Sequence, residues 1–128
     1  MILDSSAIVA IFFKERGFQV VLDKLVDCDL CAIGTPTLAE SGIVLSARLA
    51  ADSRGFLSMF LQEFEVRTIP FGDAHWKEAL DAYRRFGKGR HRAGLNFGNC
   101  LCYAVAKLAH QPLLCVGSDF RHTDLQIA

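Results

Sequence analysis

Four polar side chains stand out where apolar segments of the chain end or helices are predicted to begin: Asp4, Glu40, Asn99 and Asp119. Side chains that follow parallel strands meet at the carboxyl edge of the sheet, so we expect these four to share one crevice. Carboxylates crowded in this way repel each other unless a cation lies between them, and hard oxygen ligands suit Mg²⁺ or Mn²⁺. The sequence therefore predicts a divalent metal site.

Each of these acids also has an ordinary structural explanation. An acid at the start of a helix accepts hydrogen bonds from free backbone amides and interacts favourably with the helix dipole. For any single acid in the set, that role is the better explanation by odds of about 2:1. The hypothesis of a metal site therefore depends on all four positions coming together.

The predicted elements alternate between short apolar strands and helices. Strands are predicted at Ile2–Leu3 and at residues 31–34, 66–69 and 112–116. Two helices are predicted to follow caps, one at Ser5 or Ser6 and one at Asp52 or Ser53, and the others are predicted to begin at Phe18, Pro36, Asp73, and Asn96 or Gly98. The strands lack the period-two alternation of a sheet with one solvated face, which favours a parallel sheet covered on both faces. The expected fold class is α/β, with a parallel central sheet between two layers of helices.

Length and composition favour a single domain. The chain has 128 residues, of which 52% are hydrophobic, so one domain with a real core is expected over residues 1–128. No apolar run reaches the roughly 20 residues that a membrane-spanning helix needs, and the N-terminal sequence carries no basic leader. We expect a cytoplasmic protein that does not use a membrane. The five cysteines lie in apolar stretches, which argues against a disulfide framework.

Four segments of the chain resemble the PIN-domain toxins of the VapC type. They are LDSSA at 3–7, TLAE at 37–40, KGRHRAGLNFGNC at 88–100 and QPLLCVGSDFRHTDL at 111–125. The resemblance spans essentially the whole chain. It implies a single PIN domain, a Mg²⁺-dependent endoribonuclease that cuts structured RNA, commonly tRNA, and inhibition by a VapB-type antitoxin.

The resemblance also assigns roles to individual residues. The family's acidic set would fall on Asp4, Glu40, position 99 and Asp119, its small hydroxyl residue near the metal on Ser6, and a peripheral acid on Asp124. This chain departs from the family at position 99, where Asn99 replaces an aspartate. An amide oxygen can ligate a cation, but it brings no negative charge and cannot act as a carboxylate base. We therefore expect metal affinity and turnover to be reduced.

Three explanations of Asn99 stay open. The chain is a deliberately inactivated variant, a natural member of the family with low activity, or a natural protein with a different metal arrangement. We favour the first, because an active RNA-cutting toxin is hard to produce in cells. A non-catalytic RNA-binding or antitoxin-sequestering module is the alternative function, and the amide at this position makes it more credible.

The expected reaction follows from these ligands. One or two Mg²⁺ ions, held by Asp4, Asp119 and the residue at position 99, with Glu40 directly or through water, would activate a water for in-line attack on phosphorus. The products would be a 5′-phosphate and a 3′-hydroxyl. General acid–base cleavage through a 2′,3′-cyclic phosphate is the competing chemistry, and end-group analysis with and without EDTA separates the two.

A basic loop follows the fifth predicted helix. Residues 84–92 read RRFGKGRHR, without an acid, in a chain whose net charge is zero. An acidic pocket repels RNA, so the substrate must be held elsewhere. The basic loop (Lys88, Arg90 and Arg92) supplies the predicted phosphate contacts. The two arginines at the start of the run are explained equally well as cations at a helix C-terminus.

The chain has more apolar residues than the core of a small domain can bury. Phe12, Phe13, Phe18 and the segment 56–64 are expected to supply part of an antitoxin groove or of a homodimer face. The expected partners are therefore a VapB-type antitoxin, an RNA substrate, and either a second copy of the chain or a hetero-oligomer with the antitoxin.

Overall fold

Four strands and six helices alternate along the chain in the computed structural model, which describes all 128 residues. The strands are β1 (Ile2–Leu3), β2 (Ala32–Gly34), β3 (Arg67–Ile69) and β4 (Leu113–Leu114). The helices are α1 (Ser5–Phe12), α2 (Phe18–Val26), α3 (Thr35–Leu49), α4 (Arg54–Glu63), α5 (Asp73–Phe86) and α6 (Phe97–Ala109). None of the helices combines the length and the apolar character that crossing a bilayer requires.

The strands form one parallel sheet in the order β3-β2-β1-β4. Ile2 pairs with Ala32 on one side and with Leu113 on the other, and Leu3 pairs with Leu114. The chain runs outward from β1 through β2 to β3 and then returns to the other side of β1 as β4. The strand order therefore reverses between β1 and β4, which is where open α/β sheets form their binding crevice.

Both faces of the sheet are buried. Ile2, Ala32 and Leu113 join the core formed with α5 and α6, in which Tyr103 is fully buried. Leu3, Ile33 and Leu114 join the second core, which includes residues of α1 to α4. Successive strand residues thus enter opposite cores, as strand geometry requires. The predicted parallel sheet between two helical layers is confirmed.

The structure corrects two predicted boundaries and confirms one predicted cap. Helix α1 is capped by Asp4, not by Ser5 or Ser6, because the Asp4 carboxylate accepts a hydrogen bond from the Ser6 amide. Helix α4 begins at Arg54 with Ser53 at its N-cap, which is one of the two predicted cap residues, although the Ser53 side chain forms no capping hydrogen bond. Strand β4 ends at Leu114 and not near residue 116, since the Val116 amide leaves the ladder and donates to the Ser6 hydroxyl.

Candidate metal centre

Asp4 lies where β1 ends and α1 begins, and only 6% of the residue is exposed. Its backbone amide donates to the Leu114 carbonyl at 3.0 Å, which fixes it beside β4. Its Oδ2 accepts from the Ser6 amide at 3.1 Å and from the Ser6 hydroxyl at 2.5 Å, and that hydroxyl accepts from the Val116 amide at 2.9 Å. Both hydrogen bonds from Ser6 are accepted by Oδ2. Oδ1 is therefore not used in capping the helix and can bind another ligand.

Glu40 lies in the second turn of α3 and is half-buried. Burial raises the pKa of Glu40, the negative charge of Asp4 raises it further, and a hydrogen bond with Ser5 lowers it. The two carboxylates therefore lie within each other's electrostatic field. A pair of this kind is more stable when a cation or a proton offsets one charge.

Gly98 allows α6 to approach Glu40 closely. A Cβ atom at position 98 would lie 2.7 Å from Glu40 Oε2, closer than van der Waals contact permits. Any larger residue there would therefore displace the carboxylate. The glycine places the first turn of α6 directly against the acid of α3.

Asn99 and Asp119 form the other half of the centre. The Asn96 side chain caps α6 by accepting from the Asn99 amide at 2.9 Å, which fixes the first turn of the helix. The Asn99 side chain donates from Nδ2 to Asp119 Oδ2 at 3.3 Å. Asp119 is exposed and lies in the turn after β4. The nitrogen must face the carboxylate, because two oxygens would repel each other.

Two thiols that the sequence analysis did not name lie beside the acids. Burial raises the pKa of Cys115 to about 11, with smaller contributions from the negative charges of Asp4 and Asp119. Burial and the charge of Asp4 raise the pKa of Cys102 well above its ordinary value. Both thiols are therefore neutral near pH 7 and add no negative charge. The negative charges of Asp4 and Asp119 both reach Cys115.

The predicted ligands thus come together as two pairs, Asp4 with Glu40 and Asn99 with Asp119, beside the point where the strand order reverses. Their oxygen atoms are of the type that Mg²⁺ and Mn²⁺ prefer. No three His, Cys, Asp or Glu side chains are close enough together to hold a metal ion as a group. The donor chemistry fits a divalent cation, whereas the neutral Asn99 leaves the ligand set short of one acid.

Asp124 contacts α5 and α6. Its Oδ1 accepts from the Tyr103 hydroxyl at 2.7 Å, and its Oδ2 accepts from Lys107 at 2.7 Å and from Arg85 at 3.4 Å. Burial raises the pKa of Asp124, but the hydrogen bonds from Lys107 and Tyr103 outweigh it and bring the pKa to about 2. Both oxygens of this predicted peripheral acid are therefore occupied by donors of the protein.

The three side chains of the basic loop are exposed, and none of them forms a salt bridge. The Arg90 guanidinium lies over the ring of Tyr83, 5.0 Å from its centroid. Arg84, in contrast, pairs with Asp81 at 2.6 Å, and Arg85 with the same acid at 3.7 Å. Arg84 and Arg85 thus stabilise their own helix, while no acid neutralises the three cations of the basic loop.

The sequence is similar to that of known ribonucleases. The PIN domain family matches residues 1–125. Ribonuclease VapC36 of Mycobacterium tuberculosis is 42% identical over 127 residues, which cover 98% of this chain and 91% of that protein. Ribonuclease VapC of Mycolicibacterium smegmatis is 38% identical over 125 residues, which cover 98% of this chain and 97% of that protein.

Two solved structures share the fold. One is VapC20 of Mycobacterium tuberculosis, described as a sarcin-ricin loop cleaving toxin. It superposes with a TM-score of 0.80 at 12% sequence identity, and the aligned region covers 99% of this chain and 97% of the VapC20 chain. A toxin-antitoxin complex from Klebsiella pneumoniae contains a chain with a TM-score of 0.73 at 14% identity, covering 99% of this chain and 95% of its own. At these identities the likeness concerns the fold.

Proposed function

Because the chain belongs to the PIN-domain family, and within it to the VapC ribonucleases, we propose that it hydrolyses RNA at a metal centre formed by Asp4, Glu40 and Asp119. The predicted family, fold class and ribonuclease activity are confirmed by that membership and by the toxin folds that the chain shares. The alternative of a non-catalytic binding module has no support among the relatives.

The close approach of α6 to α3 at Gly98 is the observation that supports the proposed centre, because it puts the helix turn that carries Asn99 against the Glu40 carboxylate. The half-buried Glu40 lies in the field of the buried Asp4, and Asp119 follows β4, the strand beside β1. Asp4, Glu40 and Asp119 are not grouped closely enough in the structure to coordinate one ion, so they would have to draw together to hold Mg²⁺ or Mn²⁺, with Asn99 contributing at most a neutral oxygen. The bound ion would supply a water of lowered pKa and offset the charge of the phosphate.

The residues of the chain prepare this chemistry. Ser6 holds one oxygen of Asp4 and ties it to the segment after β4, so the other oxygen keeps a fixed direction. Glu40, whose carboxylate is less acidic than usual, can accept a proton from the attacking water. Asn99 holds Asp119 by one hydrogen bond but adds no charge, and we therefore expect this chain to cleave RNA slowly.

Structured RNA is the proposed substrate class, with tRNA as the first candidate. Relatives at 38% and 42% identity are named ribonucleases, which supports RNA as the substrate here, and the structure of VapC20 is described as that of a sarcin-ricin loop cleaving toxin. The basic loop would bind phosphates beside the acidic centre and overcome its repulsion of the polyanion. The proposed site of action is therefore the cytoplasm, where RNA of this class is found.

A VapB-type antitoxin is the proposed inhibitor. The Klebsiella pneumoniae structure is a toxin-antitoxin complex, which supports a partner of this kind. The groove between α1 and α4 is the proposed binding surface. Its cavity of about 410 Å³ is lined by Ile11, Phe12, Phe56, Met59, Phe60, Glu63 and Phe64. Six of these seven residues are apolar, so the groove would accept the apolar side of an antitoxin helix or strand.

A second copy of the chain is the proposed occupant of the groove between α5 and α6. This cavity of about 630 Å³ is bordered by Trp76, Leu80 and Phe97, which are 48%, 61% and 81% exposed. Lys88 is the only charged residue that lines it. An exposed apolar face can pack against the same patch of a second copy about a two-fold axis, so that each copy buries the other.

End-group analysis tests the proposed reaction. RNA incubated with the chain and Mg²⁺ should acquire new ends that carry a 5′-phosphate, and EDTA should prevent their formation. Cleavage that persists in EDTA and leaves a 2′,3′-cyclic phosphate would replace metal-assisted hydrolysis with general acid–base chemistry.

A further inference from the structure

One face of α6 donates hydrogen bonds to two acids of the C-terminal segment. Asn99, Tyr103 and Lys107 are spaced by four residues, so their side chains form a stripe along the helix. Asn99 Nδ2 donates to Asp119, whereas the Tyr103 hydroxyl and the Lys107 ammonium each donate to Asp124 at 2.7 Å. The helix that carries position 99 thus also holds both ends of the segment that carries Asp119.

The segment between these two acids has no strand partner. Its backbone hydrogen bonds are local: the Arg121 amide donates to the Ser118 carbonyl at 3.0 Å, and the Thr123 amide donates to the Phe120 carbonyl at 3.1 Å. Phe120 is 2% exposed and packs in the core with α5 and α6. A short turn of this kind opens readily unless contacts to the rest of the protein restrain it.

We propose that Asp124 is a positioning residue that holds the turn 118–123 against α6 and thereby fixes the direction of Asp119. Tyr103 occupies one oxygen of Asp124, and Lys107 and Arg85 occupy the other, so the carboxylate joins the segment to two helices. Charge-assisted hydrogen bonds are the strong ones, and three donors on one carboxylate leave it little freedom. Asp124 acts through Asp119 and needs no contact with metal or RNA.

The effect on catalysis depends on the proposed function, because it assumes that Asp119 is a metal ligand. A ligand on a loose turn binds an ion more weakly, while the reaction at a saturated site proceeds as before. Asp124→Asn should therefore raise the metal concentration needed for activity more than it lowers the rate at saturating metal. The loss of a ligand such as Asp4 would lower both.

Hydrogen exchange of the unmodified chain and its variants measures the turn without any catalysis. Asp124→Asn and Tyr103→Phe should each speed exchange of the Arg121 and Thr123 amides by about ten-fold, since each weakens a hydrogen bond to a charged group. Tyr103→Phe keeps the buried ring and should stay folded if Asp124→Asn does not. Arg84→Gln is the matched control, because it removes the salt bridge to Asp81 on α5 without touching Asp124.

Binding of Mn²⁺, followed by electron paramagnetic resonance in the Asn99→Asp chain, gives the second readout. Adding Asp124→Asn to that chain should weaken Mn²⁺ binding by about ten-fold, and Asp124→Glu should restore part of it. Unchanged exchange at the Arg121 and Thr123 amides in both variants would overturn the proposal. If exchange responds as expected but the Asn99→Asp chain shows no metal-dependent cleavage, the positioning role stands and the proposed function fails.

Discussion

Asn99 donates a hydrogen bond from Nδ2 to Asp119 Oδ2 at 3.3 Å, so an amide occupies an oxygen that the proposed metal ion would use. With an aspartate at position 99, two carboxylates would face each other here and would require a cation between them. The Asn99 amide instead donates a hydrogen bond to Asp119, so no cation is needed between these two side chains. The Asn99–Asp119 pair can therefore be stable without a metal ion. The same substitution should lower the metal affinity that cleavage needs.

Replacing Gly98 with alanine should separate catalysis from folding. The added Cβ would lie 2.7 Å from Glu40 Oε2 and would displace that carboxylate. The carboxylate is the end of a flexible side chain, and alanine favours a helix by about 1 kcal/mol over glycine. We expect thermal unfolding to change little and metal-dependent cleavage, measured in the Asn99→Asp chain, to fall by about ten-fold or more.

Gly55→Ala in α4 is the matched control for that substitution, because a Cβ there meets no atom within 4 Å. It should leave cleavage unchanged. If Gly98→Ala retained full activity, Glu40 would not need its observed position for the reaction.

The pKa of Glu40 predicts a pH-dependent stability. Burial and Asp4 raise it above its ordinary value of 4.5, so the folded state favours the protonated form. The stability that Glu40 contributes is complete below pH 4.5 and is lost as the pH rises through the folded-state pKa. Without metal, Glu40→Gln should therefore raise the unfolding temperature at about pH 7, and the gain should vanish near about pH 4.

Thermal unfolding in EDTA at both pH values measures this difference. Mg²⁺ should narrow the gap at neutral pH by stabilising the unmodified chain alone. A gain from Glu40→Gln of the same size at both pH values would show that it arises from packing and not from charge.

The sequence was sufficient for the order of the elements, because short apolar runs ending at polar residues are typical of a doubly covered parallel sheet. It also placed Asp4 and Asp119 near one crevice, since both follow strands that prove to be neighbours. The sequence could not show that Asp4 caps α1 or that the Val116 amide donates to the Ser6 hydroxyl and not to a neighbouring strand. Both outcomes depend on competition between side-chain and backbone hydrogen-bond partners.

The contacts of Glu40 and Asp124 were beyond sequence reasoning for a different reason. Gly98 and Glu40 are far apart along the chain, and only the packing of α6 against α3 brings them together. Asp124 resembled a peripheral acid of the centre, but its three donors come from α5 and α6. Neither relationship has a local sequence signal.

Charge reversal in the basic loop should weaken RNA binding. Arg90→Glu together with Arg92→Glu should lower affinity and reduce the slope of log affinity against log salt by roughly 0.7 to 0.9 for each phosphate that the loop no longer neutralises. Fluorescence anisotropy with labelled RNA at several salt concentrations measures both. Arg54→Glu is the control, because Arg54 is an exposed arginine on α4 that pairs with Asp52. An unchanged affinity and slope in the double variant would remove the loop from substrate binding.

The groove between α5 and α6 should control the oligomeric state. Leu80 is 61% exposed, so Leu80→Glu should not affect folding, yet it would place a charge in an apolar dimer face. Sedimentation velocity should show a dimer for the unmodified chain and a monomer for this variant. Val26→Glu, at a position 64% exposed on α2, should remain dimeric. A Leu80→Glu variant that sediments like the unmodified chain would place any interface elsewhere.

Cleavage of RNA by the Asn99→Asp chain tests the metal centre most directly. Purified Asn99→Asp and unmodified chains are incubated with total cellular RNA and Mg²⁺, with and without EDTA, and the new 5′ ends are mapped. The restored carboxylate should raise Mg²⁺-dependent cleavage by orders of magnitude, abolished by EDTA, with 5′-phosphate ends. Equal activity of the two chains would contradict the assignment of position 99, and with it the centre built on Asp4, Glu40 and Asp119.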